Sequence, residues 1–361
     1  MIAVVGGGPV GCIAAKYCAG AHDTLLFEPQ KRDERRVQCS GLLSNSGLQR
    51  LGIDPSSGSS KPFIQNSVRG AKVYSSRGSL LMVDGGKDKA YVTDRRAFDN
   101  HLLDEALNAG VVFKNETVNK KNIGDIRSRS ERIILATGTN YNLHKNLNIN
   151  APCEFLYGAQ YEMKIECDPD YVEMYLNVPG FFSWIIPVDD YARVGLCSLD
   201  NPVPHMDDFI KKLQKTKRVK DPQIRVKNYG IIPIYNPQLR TEYPKVCLAG
   251  DAAGHVKATT GGGVILGGLA ARGSGEPGYE RLWRKEIGKE LYLHLRVRRF
   301  LNNLSEKNTD KLIRLLAENK DLIEKKGDMD MASHLLKGFL GRPAFMAKFI
   351  LQAPAHLLDQ I

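Results

Sequence analysis

The chain opens on a short β-branched run, MIAVV at 1–5, that stops at a glycine cluster. Small residues at 12–19 then follow at helical spacing, and a second apolar run covers 23–27. This order predicts strand, turn, helix, strand. The Ser/Gly-rich stretch 55–61 predicts a loop, and the alternating runs 68–75 and 79–84 on either side of a polar turn predict a hairpin. Phe98, Leu102, Leu103 and Leu107 restore the helical period across 94–107, and 111–113 and 132–136 read as buried strands returning to the first sheet. Strand-like runs at 156–165, 171–176, 181–188 and 192–198 predict a second, mostly antiparallel sheet. A basic helix over 206–219, a strand over 245–249, a long charged helix over 279–304 and a helical remainder complete the pattern.

Length and composition narrow this picture. At about 150 residues per domain, 361 residues make two packed domains or one with a large insertion. With 42% apolar and 25% charged residues the chain is neither a disordered tail nor a fibre. The 34 glycines matter because they cluster, in triplets at 6–8 and 261–263. A net charge of +11 suits phosphate groups, acidic lipid surfaces, an acidic protein donor or nucleic acid, and by itself does not choose among them. The seven cysteines are scattered without a CxxC and the eight histidines stand without an HxxxH pair, so neither a disulfide framework nor a metal site is expected, and a reducing cytoplasm is. With no secretory leader pattern and no run of about 18 apolar residues, the expectation is a protein that is not integral to a membrane.

Two segments carry chemistry. GGGPVG at 6–11 matches GxGxxG between a strand and a helix, where one glycine makes the turn, one admits a pyrophosphate and one allows close helix packing. The helix N-terminus then faces the phosphates. Glu28 ends the second strand, positioned for an adenosine ribose; this motif alone leaves FAD and NAD open. The second segment, LAGDAAG at 248–254 followed by TTGGGV at 259–264, is hard to explain with an NAD site. An extended FAD explains both, with Asp251 near the ribityl or ribose hydroxyls, the backbone of Gly263 and Val264 near the isoalloxazine, and Gly250 a further candidate cofactor contact. No GxSxG nucleophile motif is present.

GDAAGHVK at 250–257, the triple glycine and YERLWRKE at 279–286 resemble the geranylgeranyl reductase family of FAD proteins, part of the para-hydroxybenzoate hydroxylase superfamily. The likeness continues in QCSGL at 38–42, TDRRAFD at 93–99, ATG at 136–138, WIIP at 184–187 and VG at 194–195, and covers about residues 1–304. It implies that Gly6, Gly8, Val10 and Gly11 wrap the pyrophosphate, that Glu28 holds the ribose and that Cys39 with Ser40 lies along the flavin. It also implies that Arg95 reaches phosphate or ribityl oxygens, that Val118, on the strand after the 94–107 helix, touches adenine, and that Asp251, Gly263 and Val264 close the flavin end. The family commonly carries aromatic-x-Trp-x-Phe-Pro-Lys-Gly; here FSWIIPVD at 182–189 lacks the Phe and the Lys-Gly, and Ala258 stands where Pro is usual.

Some residues admit two readings. Cys39, the candidate catalytic residue, is a thiol beside the flavin or a small buried residue at a strand–loop junction. Tyr175, Phe181, Phe182 and Trp184 line an apolar substrate channel or fill the sheet core. The basic run 211–220 and Arg296, Arg298 and Arg299 are solvated helix faces or docking points for anionic head groups or an acidic electron donor. The apolar stretch 344–358 lies in a membrane interface or packs on the body.

The expected fold is α/β: a Rossmann-like FAD-binding domain (1–64, 90–150 and 245–280), an inserted, mostly antiparallel substrate-binding sheet domain (65–89 and 151–244) and a helical C-terminal region (281–361). The resemblance implies an FAD-dependent reductase saturating C=C bonds of geranylgeranyl chains in archaeal-type membrane-lipid precursors. Its expected electron donor is a low-potential protein such as ferredoxin, and its expected place is the cytoplasm, peripheral on the inner face of the membrane, with no nucleic acid bound. The alternatives are an FAD-dependent monooxygenase or halogenase, a quinone-linked flavoprotein electron carrier, or a flavoprotein acting on tRNA.

Overall fold

The computed structural model describes residues 1–34, 37–219 and 222–352. The β-branched runs assemble into a six-stranded sheet ordered Glu242–Tyr243, Val246–Leu248, Arg132–Leu135, Ile2–Val5, Thr24–Phe27, Val112–Lys114. All neighbours are parallel except the first pair. Helices Pro9–Ala19, Arg95–Asn108 and Val264–Ala271 lay apolar faces on one side, burying Cys12, Phe98, Leu103 and Leu266 completely. Each large side chain so buried stabilises the fold by about 1.5–3 kcal/mol. Helix Arg95–Asn108 starts where it does because the Asp94 carboxylate accepts from Arg96 N and Ala97 N, satisfying two donors of the first turn. Parallel strands buried on both faces read as continuous apolar runs, which is why they were visible in the sequence.

The second sheet has seven strands, ordered Ile224–Pro233, Phe155–Met163, Ala192–Ser198, Phe181–Pro187, Tyr171–Val178, Gly70–Ser75, Leu80–Asp84. It is antiparallel apart from the pairing of Tyr171–Val178 with Gly70–Ser75, where the hairpin joins from an earlier part of the chain. Helix Pro202–Lys215 covers one face, with Met206, Phe209 and Leu213 packed on Ala159, Met163, Val194 and Leu196. A three-stranded sheet, Leu42–Ser44, Ala90–Thr93, Ile64–Val68, packs on both large units: Leu43 joins the first core, and Val68, Ala90 and Val92 pack with Val172 and Ile186 of the second sheet.

Differences from the sequence reading are local. The helix expected over 279–304 is Tyr279–Trp283 and Lys289–Asn302, joined through a wider π-helical turn, Arg284–Gly288. The ten-residue strand Ile224–Pro233 and the short strands of the three-stranded sheet were not foreseen. The first is a sheet edge whose exposed positions mix Arg225 and Lys227 with Val226 and Tyr229, which blurs the alternation, and the others are too brief to show a period. Val118 lies beyond the strand Val112–Lys114, in a loop rather than on a strand. Of the apolar stretch 344–358, Phe345 is buried and Phe349 packs beside it, stacked at 5.9 Å, within helix Pro343–Gln352. Leu357 and Leu358, like Lys220 of the basic run, lie outside the described residues.

Candidate functional site

The first glycine-rich turn divides its glycines by task. Gly6 has φ +106° and sits so close to Ala136 that a Cβ would overlap the Ala136 carbonyl oxygen, and a Cβ on Gly11 would overlap the Gly6 carbonyl oxygen. Both are fixed by packing of strand, turn and helix. Gly8 has nothing within 4 Å of where its Cβ would stand, so its flank is open at the N-terminus of helix Pro9–Ala19, which no side chain caps. Glu28 accepts from Gly7 N at 2.7 Å and from Gln30 N at 2.9 Å, which holds its carboxylate beside the turn.

The second glycine-rich segment meets the first directly. Gly250, at φ +67°, would place a Cβ 3.0 Å from Val10 Cγ2, and Gly267 of helix Val264–Ala271 would place one 3.1 Å from both Gly250 Cα and Val10 Cγ2. Two turns separated by some 240 residues of chain thus share one wall, because small residues on both sides let backbone approach backbone. Asp251 follows, and a Cβ on Gly263 would lie 2.7 Å from its Oδ1. Burial pushes the Asp251 carboxyl above its ordinary value while the Arg95 guanidinium pulls it back.

These pieces border one cavity of about 1320 Å³. Val10, Cys39, Ser40, Arg95, Gly250, Asp251, Gly263 and Val264 line one end, and Phe181, Phe182 and Trp184 line its continuation across the second sheet. Gly6, Gly8, Gly11 and Glu28 stand behind that wall, at the turn itself, and Val118 packs with the cluster on the far face of the first sheet. Residues from all seven strands of the second sheet reach the cavity, on the face opposite helix Pro202–Lys215. Six inter-strand steps of about 4.8 Å make that path roughly 29 Å long.

Strand alternation sorts the aromatics. Phe182 and Trp184 point into the cavity, Phe181 stacks on Phe182 at 4.2 Å, and the Trp184 ring lies so flat on the neighbouring strand that a Cβ on Gly195 would be 2.5 Å from it. Tyr175 is on the other face. It stacks on Tyr74 at 4.8 Å, meets Phe209 of the covering helix, and its hydroxyl donates to Glu173 and accepts from Arg218. Its neighbours Val172 and Met174 line the cavity instead.

Two of the groups that hold Cys39 in place, Gln160 and Arg193, were not singled out in the sequence. Trp184 Nε1 donates to Gln160 Oε1 at 3.2 Å, and Gln160 Nε2 donates to the Cys39 carbonyl at 3.1 Å. Gly41 N donates to the Cys39 thiol at 3.4 Å, and Arg193, nearly buried, donates to the Ser40 carbonyl at 2.8 Å. Arg95 bonds Asp99 at 3.1 Å one helical turn on and neighbours the Cys39 thiol.

A third contributor was invisible in the sequence: residues 323–330 and part of helix Ala332–Leu340 form a further wall. Lys257 Nζ donates to buried Asp330 at 2.5 Å and to the Met329 carbonyl at 3.0 Å, Ser44 donates to the other Asp330 oxygen, and Arg50 pairs with Asp328 at 2.7 Å. His294 Nε2 faces the Asp330 carbonyl at 3.4 Å, which only accepts, so Nε2 carries the proton and Nδ1 accepts from the Thr259 hydroxyl at 2.6 Å. Burial pushes this imidazole down to about 4 and keeps it neutral. No His/Cys/Asp/Glu cluster fit for a metal occurs among the described residues, and no described helix is long and apolar enough to cross a membrane.

No family model matches the chain. It is 31% identical to an uncharacterized protein of Methanocaldococcus jannaschii, over 92% of this chain and 93% of that one. It is 27% identical to the digeranylgeranylglycerophospholipid reductase of the same organism, over 90% and 92%. Among solved structures, a geranylgeranyl bacteriochlorophyll reductase-like protein of Thermoplasma acidophilum superposes at a TM-score of 0.75 with 24% identity, covering 97% of this chain and 98% of that one.

Proposed function

The chain belongs to the geranylgeranyl reductase family of flavin-dependent oxidoreductases, and on that premise we propose that it uses FAD to saturate isolated C=C bonds in the isoprenoid chains of membrane-lipid precursors. The observation that carries this reading is the continuity of one cavity from the two joined glycine-rich turns onto the aromatic face of the second sheet. The donor set fits the cofactor: an open flank at Gly8, an uncapped helix N-terminus, and a carboxylate at each end of the site.

In this reading Gly8, Val10 and the turn shaped by Gly6 and Gly11 receive the pyrophosphate, Glu28 the ribose, and Val118 the adenine. Arg95 and Asp251 take ribityl or phosphate oxygens, and Gly250, Gly263, Val264, Cys39 and Ser40 border the ring. When bound, FAD supplies the hydride, delivered from its reduced ring to one alkene carbon. An isolated alkene has no carbonyl to take developing negative charge, so a proton must reach the other carbon; Cys39, on the wall beside Arg95, is the candidate catalytic residue. Trp184, Phe181 and Phe182 fix the alkene and keep water away from it. Electrons come from a low-potential donor such as ferredoxin, drawn by the +11 charge, with the protein at the inner membrane surface.

Mass spectrometry of geranylgeranyl lipids after anaerobic incubation with dithionite-reduced, FAD-loaded protein tests the reaction. The expected result is a gain of two hydrogens per reduced bond; unchanged lipid with full FAD occupancy overturns the reading. Rapid flavin reduction by NADPH in stopped flow would instead remove only the ferredoxin part.

A further inference from the structure

The cavity changes character along its length. Beyond the aromatic stretch its lining turns aliphatic, through Val73, Leu81, Val83, Val172 and Ile186, and at the outer edge of the second sheet it turns basic. Lys87 and Lys89, just after the edge strand Leu80–Asp84, lie on the same rim as Lys325, Lys326 and Lys337 of the C-terminal helices. The two parts of the rim are tied by a bond from Asp84 N to Glu324 Oε1 at 3.1 Å.

Pairing sets these lysines apart from the other cations of the wall. Arg69 is paired with Asp84, Arg95 with Asp99 and Lys257 with Asp330. None of the five rim lysines has a salt-bridge partner among the described residues. The acids beside them are engaged elsewhere, Glu324 on the Asp84 backbone and Asp88 with Tyr91. Five like charges brought to one opening from two distant parts of the chain raise the positive potential there and favour an anion among them. The opening leads into an aliphatic path, so that anion is joined to a hydrocarbon chain.

Resting on the reading above, we infer that the rim formed by Lys87, Lys89, Lys325, Lys326 and Lys337 binds the phosphate of the prenyl substrate. The apolar chain then runs along the sheet with its far end toward Cys39 and the glycine-rich turns. The C-terminal helices are thereby part of the substrate site and hold its phosphate end.

The test uses the FAD-loaded full chain, reduced with dithionite, with geranylgeranyl phosphate and geranylgeraniol as probes. Each lysine–phosphate contact is worth roughly tenfold in affinity, so KM for the phosphate is expected at least tenfold below that for the alcohol. In the triple variant Lys325→Gln, Lys326→Gln, Lys337→Gln this ratio is expected to fall toward one while FAD content and melting temperature stay at wild-type values. The remote, exposed pair Lys120→Gln, Lys121→Gln serves as control and keeps the ratio. Equal KM values in the wild type, or a ratio the triple variant leaves intact, overturn the inference and leave the reductase reading standing. A triple variant that loses only binding to anionic phosphatidylglycerol vesicles, with the ratio intact, also overturns it and assigns the lysines to a membrane surface. If neither probe is reduced, the reductase reading fails, and calorimetric binding of geranylgeranyl phosphate to wild type and triple variant still decides whether the rim holds a phosphate.

Discussion

The two ends of the cavity are made in different ways. The glycine-rich end comes from two short contiguous segments whose backbones touch, Gly250 against Val10, and its shape is set by atoms that are missing: no Cβ fits at Gly6 or Gly11. The sheet end is assembled from residues on all seven strands, from Cys197 alone on one strand to five residues, 228–232, on another, and is closed by a C-terminal wall that a buried ion pair fastens. Backbone-built sites tolerate almost no change at a few positions, whereas side-chain-built sites spread their requirements over many.

That contrast is broken first at Gly11. Gly11→Val drives a side chain into the Gly6 carbonyl and is expected to abolish soluble, yellow protein, while Gly8→Ala, whose new methyl meets only open space, keeps the melting temperature and loses flavin. Visible absorbance per folded chain separates the two; equal losses of fold would show that Gly8 too is a packing residue.

At the other end, Lys257→Met leaves Asp330 buried with only its Ser44 bond, a cost of about 3–5 kcal/mol. Limited proteolysis is expected to cut near 320–340 well before the body of the protein, and a variant as resistant as wild type would show that the pair does not fasten this wall.

Acid loosens the same wall more gently. His294 titrates at about 4 folded against 6.5 ordinarily, and His255 at about 3, both lowered chiefly by burial. Their folded-state values are depressed and the neutral rings fit the fold, so the stability they contribute is fully present above about pH 6.5 and is lost as pH falls toward 4 for His294 and toward 3 for His255. For His294 the loss is roughly 3 kcal/mol by pH 4. Hydrogen exchange at 289–302 and 323–340 followed from pH 7 to 4.5 should rise before exchange in the first sheet; uniform behaviour would remove His294 as the cause.

The smallest effect is expected at Tyr175→Phe, which deletes a hydroxyl shared by Glu173 and Arg218 on the helix-covered face. It costs about 1 kcal/mol of stability and leaves KM for prenyl substrates unchanged, while Trp184→Ala raises KM. A shift in KM for Tyr175→Phe would mean that the covered face communicates with the cavity.

The first sheet and both glycine-rich turns were legible because their signals are local: β-branched runs ending in glycine, followed by helical spacing. Glu28 and Asp251 stand out by the same means, as acids at strand ends. Tyr175 and Trp184 looked alike in the sequence, since an aromatic in a strand does not announce which face it takes. Register against the neighbouring strands put Trp184 over Gly195 in the cavity and Tyr175 under a helix.

By itself, then, the order of residues determined the α/β class, the two turns and the chemistry they suit, because backbone conformation and close approach depend on residues adjacent in the chain. Only the tertiary structure decided that Gln160 supports Cys39, that Lys257 meets Asp330, and that lysines at 87–89 and 325–337 share one rim. Those partners are separated by tens to hundreds of residues, and no periodicity encodes a meeting that depends on how whole layers pack.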